Sequence, residues 1–208
     1  MKTQNQTMLS ENTLTSRPTD IIAGFPVRPG FFELNGATPL SNGVNFTAHT
    51  RHGTSCELLL FHSGEEEPFA VLPFPNACRI GDVYSMIVMG LDIEDLEYGY
   101  RIDGPYEPEK GHIFDKTKVL LDPYAKAVAG QREWGQQKIG SYHARVVRDS
   151  FDWEDMPQST RKISDLIIYE LHVRGFTQDS SGVMHPGTFA GLREKIPYLK
   201  ELGINAVE

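Results

Sequence analysis

Few residues of this 208-residue chain combine the types and spacing that chemistry needs. The closest pairing is Glu170 with His172, two positions apart in the run Asp165-Leu166-Ile167-Ile168-Tyr169-Glu170-Leu171-His172-Val173-Arg174-Gly175-Phe176-Thr177. Alternate residues of a strand face the same way, so a carboxylate and an imidazole placed there could act as acid and base. The same placement suits two interior residues satisfied by neighbouring strands, and that is the expected role. Arg174 either braces loops around a site or pairs with a carboxylate. His49 and His52 have no partner at metal-ligand spacing, so solvated or hydrogen-bonded histidines are expected. Glu65-Glu66-Glu67 reads as a solvated turn. Trp134, Trp153 and Tyr106 could stack on a flat ligand, although packing is the more ordinary use of such rings. Asp122-Pro123-Tyr124 reads as a fixed interdomain turn rather than a subsite. No catalytic, cofactor-binding or metal-binding residue is therefore assigned within residues 1–208.

The elements that would position these groups fall into two blocks. Asp165 to Thr177, rich in β-branched and aromatic residues and interrupted by Gly175, reads as a strand buried on both faces of a parallel sheet. Thr188 to Leu202 places Phe189, Leu192, Ile196, Leu199 and Leu202 at helical spacing. Thr188 suits the N-cap, and Gly203 suits a left-handed C-terminus. Pro197 predicts a break near Lys195, with the proline in the first turn of a second short helix. Ile204 to Glu208 leads into another strand. Together they form one β-α-β unit, which needs further strands and helices to bury its faces. The unit is expected to open a longer protein, and alone to expose Ile167, Leu171, Leu192 and Leu199.

Upstream, short alternating runs punctuated by Gly, Pro, Asn and Asp predict an antiparallel β-sandwich of immunoglobulin type between Ile22 and Ala129. The strands expected are Val44–His49 after a Ser41-Asn42-Gly43 turn, Ser55–His62, Phe69–Phe74, Val83–Met89 and Tyr98–Ile102. Pro73 and Pro75 mark edge positions. Gln131 to Arg161 has few apolar runs and reads as a linker anchored by Trp134, Tyr142, Phe151 and Trp153, with a domain boundary near residue 155.

Composition excludes some partners. A net charge of −8 argues against a nucleic-acid groove, which needs a basic face. No apolar run reaches the ~20 residues of a membrane span. The polar N-terminus lacks a signal-peptide core, and Cys56 and Cys78 read as reduced thiols. A cytoplasmic location is the expectation.

Several blocks resemble one family. Tyr169-Glu170-Leu171-His172-Val173-Arg174-Gly175-Phe176-Thr177 is similar to the first barrel strand of isoamylase-type glycogen debranching enzymes of glycoside hydrolase family 13. Gly187-Thr188-Phe189, Lys195 to Gly203, and Ala206-Val207-Glu208 resemble the helix and second strand that follow. Tyr98 to Tyr106, Gly111-His112, Phe114-Asp115 and Leu120 to Lys126 resemble the segment joining sandwich to barrel, and the sandwich resembles family 48 carbohydrate-binding modules. Lys116 stands where the family often has proline. The sandwich has no tryptophan before Trp134, where glycogen-binding modules often use tryptophan platforms.

The resemblance implies a mainly β chain in four parts: a flexible arm (1–20), an immunoglobulin-like sandwich (21–130), a linker (131–162), and the start of a truncated (β/α)8 barrel (163–208). It implies the N-terminal portion of an α-1,6-glucan debranching hydrolase that retains anomeric configuration and needs no cofactor. Its partner would be a branched α-glucan such as glycogen or amylopectin. The nucleophile, acid/base and stabilising carboxylates would lie on later barrel strands, leaving residues 1–208 inactive alone. A non-catalytic glucan-binding module, a pullulanase and a branching enzyme are the alternatives.

Overall fold

Period-two alternation builds most of the chain, and a computed structural model shows where it leads. The structure describes residues 17–130, 142–148, 152, 160–179 and 182–208. It divides into two compact units, Met1–Ser150 and Phe151–Glu208. The first contains β1 (Asp20–Ile22), β2 (Phe25–Pro29), β3 (Gly36–Leu40), β4 (Gly43–His49), β5 (Ser55–Phe61), β6 (Ala70–Pro73), β7 (Arg79–Ile80) and β8 (Val83–Met89). After these come β9 (Glu97–Asp103), β10 (Tyr106–Glu107), β11 (His112–Ile113), β12 (Ala127–Ala129) and β13 (His143–Arg145).

The strands form two antiparallel sheets, one ordered β1-β2-β8-β4-β3 with β7 beside β8, the other β12-β13-β9-β5-β6. Register aligns the apolar residues: Val44 lies opposite Val88 and Phe46 opposite Met86 in the first sheet. Leu58 lies opposite Tyr100, and Leu60 opposite Tyr98, in the second. These side chains, with Val27, Cys56 and Leu72, make one buried cluster. Phe46 meets Tyr98 edge-on with ring centroids 5.1 Å apart, a geometry that aromatic quadrupoles favour. The expected sandwich-like arrangement is thus observed.

Alternation also breaks in an informative way. Val44, Phe46 and Ala48 point into the core, yet Asn45 and Thr47 are buried too. The Asn45 Oδ1 accepts the Phe31 amide at 2.8 Å, and its Nδ2 donates to Thr47 Oγ1 at 3.0 Å. Thr47 Oγ1 lies 2.7 Å from Ser85 Oγ. The chain at Gly30 and Phe31 therefore lies against the outer face of β4 and β8. A Cβ at Gly30 would fall 2.4 Å from Asn45 Oδ1 and from Ser85 Oγ, so only glycine lets the backbone come this close.

Several features of the first unit depart from the sequence expectation. Strands β2 and β3 were not expected, because Pro26, Pro29 and Pro39 obscure their pattern. Strand β13 lies in the stretch read as linker, yet it pairs with both β12 and β9. Asp20, assigned to the N-terminal arm, pairs with Val27 in the β1–β2 ladder; the rest of that arm up to residue 16 lies outside the described residues.

The second unit contains β14 (Ile168–Tyr169), α1 (Val173–Thr177), α2 (Phe189–Glu194), α3 (Ile196–Glu201) and β15 (Ala206–Val207). Strands β14 and β15 run parallel, with Ile168 opposite Ala206 and Tyr169 opposite Val207. Asn205 fixes the start of the pair: its Oδ1 accepts the Ile167 amide at 2.7 Å and its Nδ2 donates to the Asp165 carbonyl at 2.9 Å. The break in the helix falls at Lys195 (φ −92, ψ 1), and α3 carries its proline in the first turn. Thr188 caps α2 by accepting the Gly191 amide, and Gly203 takes φ +84 at the end of α3.

The long, doubly buried strand expected over 165–177 is corrected. Its regular part is two residues long and exposed, and Val173–Thr177 is helical. The cause is local. Burial on both faces requires flanking strands, and β14 pairs with β15 alone among the described residues. His172 then caps α1 by accepting the Gly175 amide on Nδ1 at 3.1 Å. Leu199 is buried, whereas Ile167, Phe189 and Ile196 are exposed.

The buried amide of Asn45 yields a stability prediction. Replacing it by alanine strands the Phe31 N–H, and Asn45→Ala is expected to cost about 1–3 kcal/mol in urea unfolding. A loss below about 0.5 kcal/mol would show that solvent reaches these groups.

Candidate functional site

The sequence-marked residues do not converge on one centre. Glu170 and His172 are both exposed, and His172 Nδ1 serves as a helix cap rather than as half of an acid/base pair. His52 packs against His112 with ring centroids 4.3 Å apart, while His49 is exposed. Among the described residues no three His, Cys, Asp or Glu side chains gather to hold a metal. Glu65, Glu66 and Glu67 are exposed. Tyr106, on the β10–β11 hairpin, is 72% exposed. Trp134, Trp153 and Phe151 lie outside the described residues. Both cysteines are free and buried; desolvation pushes the Cys56 thiol up to about 12 and that of Cys78 to about 11, which removes them as nucleophiles.

Asp122 is the most consequential polar residue of the first unit. It is 2% exposed, and its Oδ2 accepts the Tyr98 hydroxyl at 2.7 Å. Its Oδ1 accepts the Tyr124 amide at 2.8 Å, and its carbonyl accepts the Ala125 amide. Just before it, Leu120 exchanges backbone hydrogen bonds with Tyr100 in both directions, at 2.7 and 3.0 Å. Gly36, at φ +75, faces Tyr124 so closely that a Cβ would sit 3.0 Å from its backbone oxygen. Leu120–Ala125 is therefore bonded to the sandwich as a fixed structural turn. Burial raises the Asp122 carboxyl, and burial together with Asp122 raises the phenols of Tyr98 and Tyr100. The Tyr100 hydroxyl is buried without a hydrogen-bond partner.

A polar groove of about 550 Å³ is lined by Ser55, Glu57, Arg101, Asp103, Lys116 and Thr117. Register places Ser55 opposite Asp103 and Glu57 opposite Arg101. Arg101 Nε lies 3.1 Å from Glu57 Oε2, and Lys116 Nζ lies 3.9 Å from Asp103 Oδ2. Asp115 fixes the far wall by accepting both the Thr117 hydroxyl and its amide; these bonds, the hydroxyl first, hold its carboxyl below the usual range. The groove offers donors and acceptors with paired charges and suits a neutral, hydroxyl-rich ligand. Sequence reasoning missed it because its walls come from β5, β9 and a loop far apart in the chain. Lys116 was the only visible signal.

In the second unit, one polar cluster joins the loop before α2 to that helix. Glu194 of α2 accepts the Met184 amide at 2.8 Å and the His185 amide at 3.3 Å. It also meets His185 Nδ1 at 3.1 Å. These bonds, the Met184 amide foremost, keep its carboxyl below the ordinary range.

With this geometry in view, comparison with known proteins is direct. Residues 35–125 match the family model of carbohydrate-binding module 48, the isoamylase N-terminal domain. The chain is 38% identical over 185 residues to isoamylase 1, chloroplastic, of Arabidopsis thaliana, covering 83% of this chain and 24% of that protein. It is 33% identical over 188 residues to the glycogen debranching enzyme of Yersinia enterocolitica, covering 80% of this chain and 27% of the relative. In fold it resembles the pullulanase of Paenibacillus barengoltzii in complex with maltohexaose and α-cyclodextrin. That match has a TM-score of 0.64 at 22% identity and covers 84% of this chain and 26% of the other. The Group B Streptococcus pullulanase SAP in complex with maltotetraose gives 0.59 at 26% identity, covering 85% and 23%. Residues 35–125 of the sandwich thus match carbohydrate-binding module 48. The chain as a whole is a homologue of isoamylases and glycogen debranching enzymes, and it spans about a quarter of their length.

The Asp122 contacts generate a paired prediction. Asp122→Ala leaves the Tyr98 hydroxyl and Tyr124 amide unpaired and is expected to cost about 2–3 kcal/mol in urea unfolding. Because the folded carboxyl is raised, the folded state holds this proton more tightly than the unfolded chain. Its contribution is present below the unfolded value of about 3.9 and is lost as pH rises through the raised folded value. Asp122→Asn lacks this loss, so its stability relative to the parent should climb with pH across that window. A flat difference between roughly pH 3.5 and 7 would contradict the assignment.

Proposed function

We propose that this chain is the N-terminal portion of a retaining α-1,6-glucan debranching glycoside hydrolase acting on glycogen or starch-type glucans. The observation that carries the reading is the identity of 33 to 38% with debranching enzymes and isoamylases across most of the chain. The parallel β14–β15 pair, with α2 and α3 between its strands, supports reading residues 163–208 as the opening unit of a (β/α)8 barrel. Retaining hydrolysis needs two carboxyl groups about 5 Å apart, one as nucleophile and one as acid/base. The nucleophile attacks the anomeric carbon of the branch while the acid protonates the departing oxygen; water then releases the glycosyl enzyme, with the same group acting as base. In this reading those carboxylates stand on later barrel strands, and the 208 residues contribute the module and the first strand's loop. The partner is a branched α-glucan, glycogen or amylopectin, without cofactor, metal or nucleic acid. We place the enzyme in the cytoplasm.

The polar groove is where the first unit would meet glucan hydroxyls. It contains no aromatic lining, so it would act through hydrogen bonds instead of ring stacking.

Product analysis of the complete enzyme on glycogen and pullulan tests the proposal. Linear chains released from glycogen, with little action on pullulan, are expected, and no release by the 208-residue chain alone. Preferential pullulan cleavage would make it a pullulanase. Transfer without net hydrolysis would make it a branching enzyme. Glycogen retention with no turnover by the complete protein would leave a binding module.

A further inference from the structure

His185 is held more firmly than an exposed loop histidine requires. Its side chain is 57% exposed, yet its amide and Nδ1 both meet Glu194. Its carbonyl accepts the Thr188 hydroxyl at 2.8 Å. Thr188 in turn accepts the Gly191 amide at 3.1 Å. A Cβ on Gly191 would lie 2.3 Å from the His185 carbonyl oxygen, and Gly187 takes φ +71. The Gly187 amide is tied to the buried Thr177 hydroxyl at 2.9 Å. Glu194, Thr188 and Gly191 thus meet His185 directly, and Thr177 fixes Gly187 two positions on. Fixing a loop residue costs backbone entropy, which an idle surface histidine has no reason to incur.

The dyad also sets the imidazole. An ionised carboxylate only accepts hydrogen bonds, so Nδ1 carries the proton toward Glu194, which in the neutral imidazole leaves the lone pair on Nε2. Position gives this nitrogen something to meet. The parallel pair sends the chain out of β14 at its C-terminal end, and His185 lies in the connection that follows, before α2. In parallel α/β architectures, ligand sites form at the strand C-termini.

We infer that His185, oriented by Glu194, contacts the α-glucan at the active face through Nε2, accepting a hydrogen bond from a sugar hydroxyl. This rests on the barrel reading proposed above. Glu194 is a positioning residue in this scheme.

Two near-isosteric variants of the complete enzyme separate contact from scaffolding. In His185→Asn the amide nitrogen takes the place of Nδ1 and keeps the Glu194 bond, but nothing replaces Nε2. Loss of one neutral hydrogen bond predicts a rise in KM for glycogen of about five- to tenfold, with kcat and Tm near those of the parent. His185→Gln puts an amide near Nε2 and gives up the Glu194 bond; KM should recover in part while Tm falls. If His185→Asn keeps the parental KM, or if KM simply tracks Tm across both variants, the inference is overturned and the dyad is scaffolding. A parent enzyme without debranching activity would instead defeat the functional reading. Affinity electrophoresis in glycogen gels then decides the inference alone: weaker retardation of His185→Asn at unchanged Tm upholds it, and equal retardation refutes it.

Discussion

The contact between the Tyr98 hydroxyl and the Asp122 carboxylate organises the first unit. Tyr98 sits at the centre of the core, edge-on to Phe46, so its ring is fixed by apolar packing on every side. Its hydroxyl still has to find an acceptor. Asp122 supplies one from a turn already held by Leu120 and Tyr124. A buried acid would ordinarily be costly; here two hydrogen bonds offset part of the desolvation, and burial still raises the carboxyl. The result ties the segment leaving the sandwich to its centre.

A second polar contact of this kind closes the outer face of the other sheet. Asn45, Thr47 and Ser85 satisfy each other and the backbone at Phe31, covering two central strands that would otherwise present polar groups to a poorly solvated cleft. Glu97 and His143 repeat the device on β9 and β13: the imidazole stacks on Phe61 with centroids 3.8 Å apart and lies 3.1 Å from the carboxylate. The carboxylate also accepts the Gly64 amide. In each case a buried polar group recruits a segment distant in sequence.

What could be read from residue order follows from these interactions. β4, β5, β8 and β9 announce themselves because alternation or apolar runs reflect burial that each strand determines by itself. The break at Lys195 and the caps at Thr188 and Gly203 are equally local, set by proline, hydroxyl and glycine chemistry. β13 was hidden because three residues carry no period, and its place depends on Glu97, some forty-six positions earlier in the hydrogen bond. The helix at Val173–Thr177 was misjudged because an apolar run gives the same signal for a buried strand and for a segment without enough neighbours. The groove was illegible for a related reason: Glu57 and Arg101 meet only through register. The family resemblance in the later blocks supplied what spacing could not.

The sheet borders of the two units differ in their openness to other chains. In the sandwich, β3 and β6 contain Pro39 and Pro73, and β1 and β12 are three residues long. Missing donors and short rows blunt these borders against fibril-like stacking. The β14–β15 ladder has no such guard: Ile168 and Val207 are exposed and its outer rims have no further strand among the described residues. In the barrel reading those rims are where neighbouring strands join, and closure of the ring removes the edge.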